Sequence, residues 1–253
     1  MKKVLKGILA LTMVCSLAAC GSSSSDDSSS EVTTITVATS PDYDPYEALD
    51  TDGNMYGFDI DMVELFNDYA KDDGYEFEFV QMDFDNIIAQ VNNGQVDLGI
   101  SGFTYSEDRK VEWSNPYLGT NQVALLKADS DISSSADLKG KKLVAQSGAT
   151  GVDVAKDLSD DVTDIKNVTD IANYLQQGQF DAAIIDSGVA KKYASNADYK
   201  VLDEVLLEEK NYIIAKEGNT EIIELVNKYI EKFMASDDYQ TLCDKYDLVA
   251  YEG

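Results

Sequence analysis

Arg109, the only arginine in the sequence, has surroundings that suggest a particular chemistry. Its guanidinium is a planar group of hydrogen-bond donors that can bind a carboxylate through two parallel hydrogen bonds. It follows a short segment that contains small and hydroxylated residues, Ser101, Gly102 and Thr104, directly after a predicted strand. These neighbours favour a binding site for a small anion. An ordinary surface ion pair with one of the many carboxylates is the alternative, and such pairs stabilise a protein little.

The elements that precede this segment recur further along the chain. Residues 87–100 and 171–184 both contain a helical stretch, a Gly-Gln turn, one apolar residue, an aspartate and a buried strand, at a spacing of 84 residues. Ligands of open α/β sheets bind outside the carboxyl ends of strands, so Ser101–Gly102 and Asp186–Ser187 are expected to face one cleft. Two unrelated units that share a glycine at a helix end could also produce this repeat.

Hydrophobic periodicity predicts alternating strands and helices through the folded part. The predicted helices are 58–71, 85–93, about 150 onward, 170–177, 187–194, 220–235 and 238–246, and the predicted strands are 34–39, 75–80, 96–100, 142–146, 162–166, 181–185 and 211–216. Such alternation indicates an α/β fold in which mainly parallel sheets are covered on both faces.

The beginning of the chain predicts export and anchoring. A basic start and a short apolar run end at Leu17-Ala18-Ala19-Cys20, which resembles a bacterial lipobox, so residues 1–19 are predicted to be a signal peptide and not a membrane span. The resemblance implies that Cys20 is acylated, with palmitate or a similar chain, after cleavage. The Ser/Asp-rich residues 20–31 predict a flexible tether. A cysteine that merely follows an ordinary cleavage site is the alternative.

Charge and cysteine content exclude several classes of protein. The chain has 20 basic and 47 acidic residues, and loss of the three signal lysines makes the net charge −30. This charge excludes nucleic-acid binding and argues against peripheral binding to anionic lipid. There is no histidine, and Cys243 is the only cysteine left after Cys15 and Cys20 are removed or acylated. We therefore predict no disulfide, no metal site and no cofactor, with Cys243 simply buried.

Five segments of the folded part, in order along the chain, match one known family. They are 35–47 with 57–61, 101–117, 137–151, 181–186 and 219–246. Together they resemble the extracellular solute-binding proteins of the polar amino-acid family (family 3), the receptor components of ABC importers, in a lipoprotein form. The resemblance covers about Thr33 to Val249.

The resemblance implies a two-lobe, periplasmic-binding-protein-like (type II) α/β fold, with a ligand cleft between lobes that two hinge strands join. Residues 32–121 and 217–253 are expected to form one lobe, and residues 122–216 the other. It further implies a monomer that captures a free amino acid by cleft closure and passes it to an ABC permease and its ATPase. The anchor on Cys20 would hold it at the outer face of the bacterial cell membrane.

The family's binding residues can be carried over to positions that match. By resemblance, Arg109 binds the α-carboxylate of the ligand, while Thr104 and an amide near Thr150 add hydrogen bonds. Asp186 and the carbonyl of Gly102 are expected to receive the α-ammonium group.

Two aromatic residues are expected to wall the cleft. Tyr43 and Phe84 stand where the family places such rings, which can pack on a side chain or a cation. Phe84 could instead have a plain core role, and Asp186 could serve as the N-cap of the helix that follows it. The two roles of Asp186 can coexist.

Two departures from the family pattern bear on the ligand. Ser40 stands where binders of basic amino acids carry an aspartate, and Ala149 replaces a common threonine. No second cation is clearly placed for a side-chain carboxylate. These features favour a neutral polar or sulfur-containing amino acid, such as cystine.

Other classes of function are compatible with the same fold. An enzyme on this scaffold, such as a dehydratase, would need a general acid or base, and without histidine only carboxylates or lysines could serve. A non-transport sensor or a purely structural surface lipoprotein is a further alternative. We expect a binding protein and not an enzyme.

Overall fold

The structure is a computed structural model that describes residues 32–251. The predicted signal peptide and the predicted tether, which includes Cys20, lie outside these residues. None of the helices between residues 32 and 251 is long and apolar enough to cross a bilayer.

The helices arise where apolar residues recur at helical spacing. In α6, for example, Ile223, Val226, Ile230 and Phe233 are buried along one face. The α-helices are α1 Phe58–Ala70, α2 Phe84–Asn92, α3 Gly151–Leu158, α4 Val168–Gln176, α5 Ser187–Ala194, α6 Thr220–Met234 and α7 Asp237–Tyr246.

The strands are short except for two runs of seven residues and one of ten. They are β1 Thr33–Thr39, β2 Asp42–Tyr43, β3 Glu47–Leu49, β4 Met55–Tyr56, β5 Tyr75–Gln81, β6 Leu98–Gly99, β7 Val111–Trp113, β8 Leu118–Lys127, β9 Lys142–Gln146, β10 Asp161–Ile165, β11 Ala182–Asp186, β12 Tyr199–Val201, β13 Leu207–Asn211, β14 Ile214–Lys216 and β15 Val249–Ala250. Strands β2, β3 and β4 form a small antiparallel sheet.

Two larger sheets form the two lobes of an α/β fold. In the first sheet, the order is β5-β1-β6-β14-β7, and β1 runs parallel to β5 and β6. In the second, the order is β10-β9-β11-β8-β12, with β13 and β15 also paired to β8. Both sheets are mixed, because β14 pairs antiparallel with β6 and β7 in the first sheet and β8 pairs antiparallel with β11 in the second. The expectation of mainly parallel sheets is therefore corrected.

The chain crosses between the two sheets at β8 and at the β13–β14 connection. The predicted strand 211–216 is two strands, because the chain leaves the second sheet after Asn211 and enters the first at Ile214. The expected lobe boundary at residue 217 places β14 in the second lobe, whereas β14 pairs within the first sheet; β15 pairs within the second. The division into lobes by residue range stays a prediction.

The internal repeat is confirmed in three dimensions. Helices α2 and α4 begin and end at positions 84 residues apart, and β6 and β11 follow them at the same offset. Each helix is followed by a glycine with a positive φ, Gly94 at 67° and Gly178 at 73°. Each lobe thus uses one helix–strand unit of the same design, and the carboxyl ends of β6 and β11 carry the segments that the sequence singled out. Cys243 is buried, as expected.

Candidate ligand-binding site

Arg109 connects the loop after β6 to the turn after β9. Its Nη1 donates to the carbonyl of Thr104 at 2.5 Å, and its Nη2 donates to the carbonyl of Gly148 at 2.7 Å. The guanidinium also lies near the rings of Phe103 and Phe84, at 5.5 and 5.9 Å from their centroids. The single arginine therefore contacts groups attached to both sheets.

The electrostatic environment of Arg109 differs from that of a surface ion pair. Within residues 32–251, no carboxylate oxygen lies within 4.0 Å of the guanidinium. Burial lowers the pKa of Arg109, and the charges of Glu209 and Asp153 oppose that shift from a greater distance. The two backbone carbonyls accept hydrogen bonds from the guanidinium, but because they are neutral they do not cancel its positive charge. The guanidinium is thus suited to bind an anion, and the surface ion pair of the alternative is not observed.

A line of hydroxyl groups runs from the Arg109 loop into the second sheet. The Thr150 hydroxyl donates to Oε2 of Glu209 at 3.0 Å and lies 3.1 Å from the hydroxyl of Thr104. Because the single proton of Thr150 is used on Glu209, Thr104 must donate to Thr150. Thr150 directly precedes α3, which starts near residue 150 as predicted, and it is followed by the amide of Gly151, the first residue of the helix.

Asp186 ends β11 and is only 1% exposed. Its carboxylate accepts hydrogen bonds from the Tyr46 hydroxyl at 2.7 Å, from the amide of Gly188 at 2.9 Å and from the hydroxyl of Thr120. Burial raises the pKa of Asp186 to about 6, against the opposing effect of these three donors. The contact with Gly188 confirms the N-cap alternative, and it leaves room for the ligand role, which stays a prediction.

Gly102 adopts a left-handed conformation, with φ of 58°. A Cβ at this position would lie 3.1 Å from Cε1 of Tyr43, so the aromatic ring packs directly on the glycine backbone. The Gly102 carbonyl accepts a hydrogen bond from the side-chain amide of Asn211 at 3.0 Å. Tyr43 in turn stacks on Tyr46, whose hydroxyl binds Asp186. Tyr43 and Gly102 therefore lie in the same group of residues as Asp186.

Phe84 begins α2 and is 7% exposed. Its ring stacks on Phe103 at 4.7 Å and packs with Ile87 and Val91. The core role of Phe84 is thus confirmed, and the same ring also lies below the Arg109 guanidinium. Whether it also forms a wall for a ligand stays a prediction.

Two buried carboxyl groups support the Ser101–Gly102 segment. The Ser101 hydroxyl donates to Glu47 at 2.5 Å, and Asp59 accepts from the Tyr117 hydroxyl at 3.0 Å and from the Gly102 amide at 3.3 Å. Burial raises the pKa of Glu47 and of Asp59, so the pair holds a proton more tightly than exposed carboxyls do. This arrangement positions the carbonyl of Gly102.

The two positions that depart from the family pattern lie close to the site. Ser40 is buried; its amide donates to the Ser101 hydroxyl at 3.1 Å, and its hydroxyl donates to Asp42 at 2.8 Å. Ala149 packs against the cluster that contains Phe84. Ser40 therefore helps to hold the loops, and Ala149 contributes apolar packing where a threonine would offer a hydroxyl.

All seven predicted ligand-binding residues lie in one connected group, which also contains residues that the sequence analysis missed. The missed residues are Tyr46, Thr120, Gln122, Glu209 and Asn211. Four of them lie on β8 and β13, which were not predicted as strands with these bounds. The residue types of β13, Leu-Glu-Glu-Lys-Asn, show no alternation of apolar and polar residues, so no local signal in the sequence marks Glu209 and Asn211, which are more buried than Glu208 and Lys210.

The comparisons with known proteins agree with this geometry. The profile of the bacterial extracellular solute-binding proteins, family 3, matches residues 35–248. The chain is 35% identical to the arginine-binding extracellular protein ArtP of Bacillus subtilis (strain 168), over 97% of this chain and 98% of that protein. It is 33% identical to a probable histidine-binding protein of Neisseria gonorrhoeae, over 97% and 96%.

A solved structure gives the same result for the fold. The crystal structure of the substrate binding protein of an amino acid ABC transporter has a TM-score of 0.78 and 33% identity, and the match covers 84% of this chain and 98% of that one. The profile match extends over most of the chain, and the two-lobe fold is that of the solved structure. The chain belongs to the bacterial extracellular solute-binding proteins, family 3.

Proposed function

We propose that this protein is the lipid-anchored substrate-binding component of an amino-acid ABC importer. The observation that carries the proposal is the half-buried guanidinium of Arg109, which has no carboxylate partner within 4.0 Å among the described residues and lies in one connected group with the buried carboxylate of Asp186. The names of the relatives, which include arginine-binding and histidine-binding proteins, support an amino acid as the ligand.

The two charged groups complement the two charges that every free amino acid carries. Removing either ligand charge from water costs several kcal/mol unless a partner of opposite charge replaces the water. Arg109 exchanges its carbonyl partners for the ligand carboxylate, to which Thr104 and an amide near Thr150 also donate. Asp186 and the carbonyl of Gly102 accept from the ammonium group. A micromolar affinity requires about 8 kcal/mol, and these contacts with packing on Tyr43 and Phe84 supply interactions of that order.

Capture is coupled to closure of the two lobes, residues 32–121 with 217–253 and residues 122–216. Arg109 follows β6 of the first sheet, and Asp186 ends β11 of the second. A ligand gains both ion pairs only when the sheets approach, so its differential affinity favours the closed form. The closed protein, as a monomer, then docks on a permease whose ATPase drives import. Acyl chains on Cys20 hold it at the outer face of the cell membrane.

An enzyme on the same scaffold is the second candidate, because the pKa of Asp186, about 6, suits a general acid or base. The two functions differ in the fate of the ligand. Mass spectrometry of a bound amino acid recovered after long incubation finds it unchanged if the protein only binds, and a modified product establishes catalysis.

The proposal is tested by a calorimetric and thermal-shift screen of free amino acids with the wild-type protein and Arg109→Ala. Loss of a buried charge-assisted pair is expected to weaken binding of every amino acid by about 100-fold or more, since such pairs are worth on the order of 3 kcal/mol. Lys110→Ala removes the adjacent exposed cation and is expected to leave affinity unchanged. Full affinity in Arg109→Ala, with a normal melting curve, would contradict the proposal.

A further inference from the structure

The charges of the candidate site do not balance for a neutral amino acid. The α-carboxylate of a ligand matches Arg109, and its α-ammonium group matches Asp186. The carboxylate of Glu209 then remains, and within the described part of the chain no lysine or arginine nitrogen lies within 4.0 Å of it. A carboxylate that is half-buried without a counter-charge is costly, so a cation is expected to accompany it when the site is filled.

Glu209 is held in a defined position by neutral donors. Its Oε2 accepts from the Thr150 hydroxyl at 3.0 Å and from Nε2 of Gln122 at 2.9 Å. Thr150 and Gln122 belong to different elements, the start of α3 and the strand β8, so the carboxylate is fixed from two directions. Neither donor carries a charge. The contacts fix the orientation of the Glu209 carboxylate, but they do not neutralise its charge.

A cavity of about 480 Å³ extends from Thr150 and Glu209. Its volume lies within the roughly 300–1,000 Å³ that is usual for small-molecule sites. The other acidic residues that line it are Asp153 and Asp157, both on α3, and apolar contacts come from Tyr105 and Leu207. No lysine or arginine of the described residues lines this cavity. A side chain that entered it would meet both apolar side chains and carboxylates.

A second hydrogen-bond acceptor, on Gln122 beside Glu209, also lacks a donor. Gln122 is 3% exposed; its amide nitrogen is used on Glu209, whereas its Oε1 has no hydrogen-bond partner within the described residues. An unsatisfied buried acceptor is costly. A guanidinium offers five N–H donors and an ammonium group three, and neither accepts. The acceptors here thus match a cationic group better than a polar group that itself accepts.

We propose that Glu209 is the residue that selects the ligand side chain, and that the substrates are amino acids with a long cationic side chain, such as arginine or lysine. This inference rests on the proposed function and specifies its ligand. The sequence favoured a neutral ligand because Ser40 replaces the aspartate of binders of basic amino acids. The inference departs from that preference, because Glu209 on β13 supplies the negative charge for a cationic side chain in place of residue 40. Asp153 and Asp157 add to the negative potential along the cavity.

The test compares L-arginine with L-citrulline, a neutral ligand of nearly the same shape. By calorimetry, the wild-type protein is expected to bind arginine about 10- to 100-fold more tightly, as a hydrogen-bonded charge pair predicts. Glu209→Gln is expected to reduce this ratio to about 3-fold or less. Glu208→Gln, which alters the exposed neighbour on the same strand, is expected to keep the full ratio. Melting curves show whether each variant folds.

The outcomes separate this inference from the proposed function. If the wild-type protein binds glutamine or cystine but not arginine or lysine, or binds arginine and citrulline equally, the cationic substrate class is wrong and the amino-acid receptor stands. If Glu209→Gln keeps the full ratio, another residue selects the side chain. If no amino acid binds, both proposals fail. The ligand comparison on the wild-type protein decides the substrate class even if Glu209→Gln does not fold.

Discussion

Asp186 combines a structural and a proposed binding role in one side chain. Three hydrogen bonds favour its ionised form, yet the loss of water around a 1% exposed carboxylate outweighs them and raises its pKa to about 6. An ammonium group placed against this carboxylate would restore the ionised form. Ligand affinity is therefore coupled to the protonation of Asp186.

We expect affinity for amino acids to fall as the pH is lowered from 7.5 to 5, by up to about tenfold per pH unit below 6, because the protonated carboxyl cannot pair with an ammonium group. Calorimetric dissociation constants at pH 5, 6 and 7.5 measure this. Asp186→Asn should bind weakly at every pH, while Asp198→Asn, at an exposed site, should follow the wild-type curve. An affinity independent of pH over this range would refute the ammonium role.

The stability of the free protein is expected to change with pH in the opposite direction from ligand affinity, so the two effects can be distinguished. A pKa raised in the folded state means that the folded protein holds the proton more tightly. The stabilisation that results is complete below the unfolded pKa near 4 and is lost as the pH rises through about 6. The melting temperature of the free protein should therefore fall as the pH rises from about 4 to about 6, whereas ligand affinity should rise.

The two strands that connect the sheets also build much of the site. Strands β8 and β13 are antiparallel, and their register places Thr120 opposite Glu209. Side chains at alternate positions of a strand share a face, so Thr120 and Gln122 lie together, and so do Glu209 and Asn211. The side chains that contact Asp186, Thr150 and Gly102 therefore all lie on one pair of hydrogen-bonded strands. This pairing keeps those side chains at fixed positions relative to one another.

A loop of the first lobe also caps a helix of the second. Oδ2 of Asp42, in β2, accepts a hydrogen bond from the amide of Val168 at 2.7 Å, at the first residue of α4. A carboxylate at a helix N-terminus is favoured by the unpaired amides and by the helix dipole. If the lobes separate when ligand leaves, this contact exists only in the closed form and contributes to ligand affinity.

Asp42→Ala is therefore expected to raise the dissociation constant about 3- to 30-fold, mainly through faster dissociation, because a charge-assisted hydrogen bond of the closed form is lost. Stopped-flow dissociation and calorimetry measure the two quantities. Lys71→Ala, which breaks the exposed pair with Asp68 within the first lobe, serves as the control and should change affinity less than about 3-fold. An unchanged dissociation rate in Asp42→Ala would mean that the contact persists when ligand leaves.

At the scale of the whole molecule, the strong negative charge and the proposed anchor act together. A net charge of −27 for the full chain repels anionic lipid head groups, so contact with the membrane has to come from acyl chains. The Ser/Asp-rich residues between Cys20 and the folded part would let the binding domain reach a permease.

We expect Cys20→Ala to release the protein from the membrane fraction and to abolish incorporation of labelled palmitate, with ligand affinity unchanged. Detergent phase partitioning, intact-mass analysis and calorimetry check the three results. Cys243→Ala removes the buried cysteine and should leave the protein in the membrane fraction. Retention of Cys20→Ala in the membrane, or a mature mass without acyl chains, would show that the anchor is wrong.

Prediction from sequence succeeded where neighbouring residues carry the information. The 84-residue repeat, the helix bounds near α2 and α4, the start of α3 near residue 150 and the burial of Cys243 all follow from local patterns. Strand β8 was missed because it is buried over most of its length and shows no strict alternation. Its partner β13 was misplaced because the chain changes sheets at Tyr212, which a single run of β-favouring residues does not reveal.

The sequence alone established the α/β class, the predicted export signal and the two residues that should meet the charges of an amino acid, because charge, hydrophobic period and turn residues are properties of short segments. Only the tertiary structure placed Glu209 beside Thr150 and Gln122, residues that lie 59 and 87 positions away in the chain. Pairing between distant strands depends on the packing of whole sheets, so the side chain that we propose to select the ligand became visible only after folding.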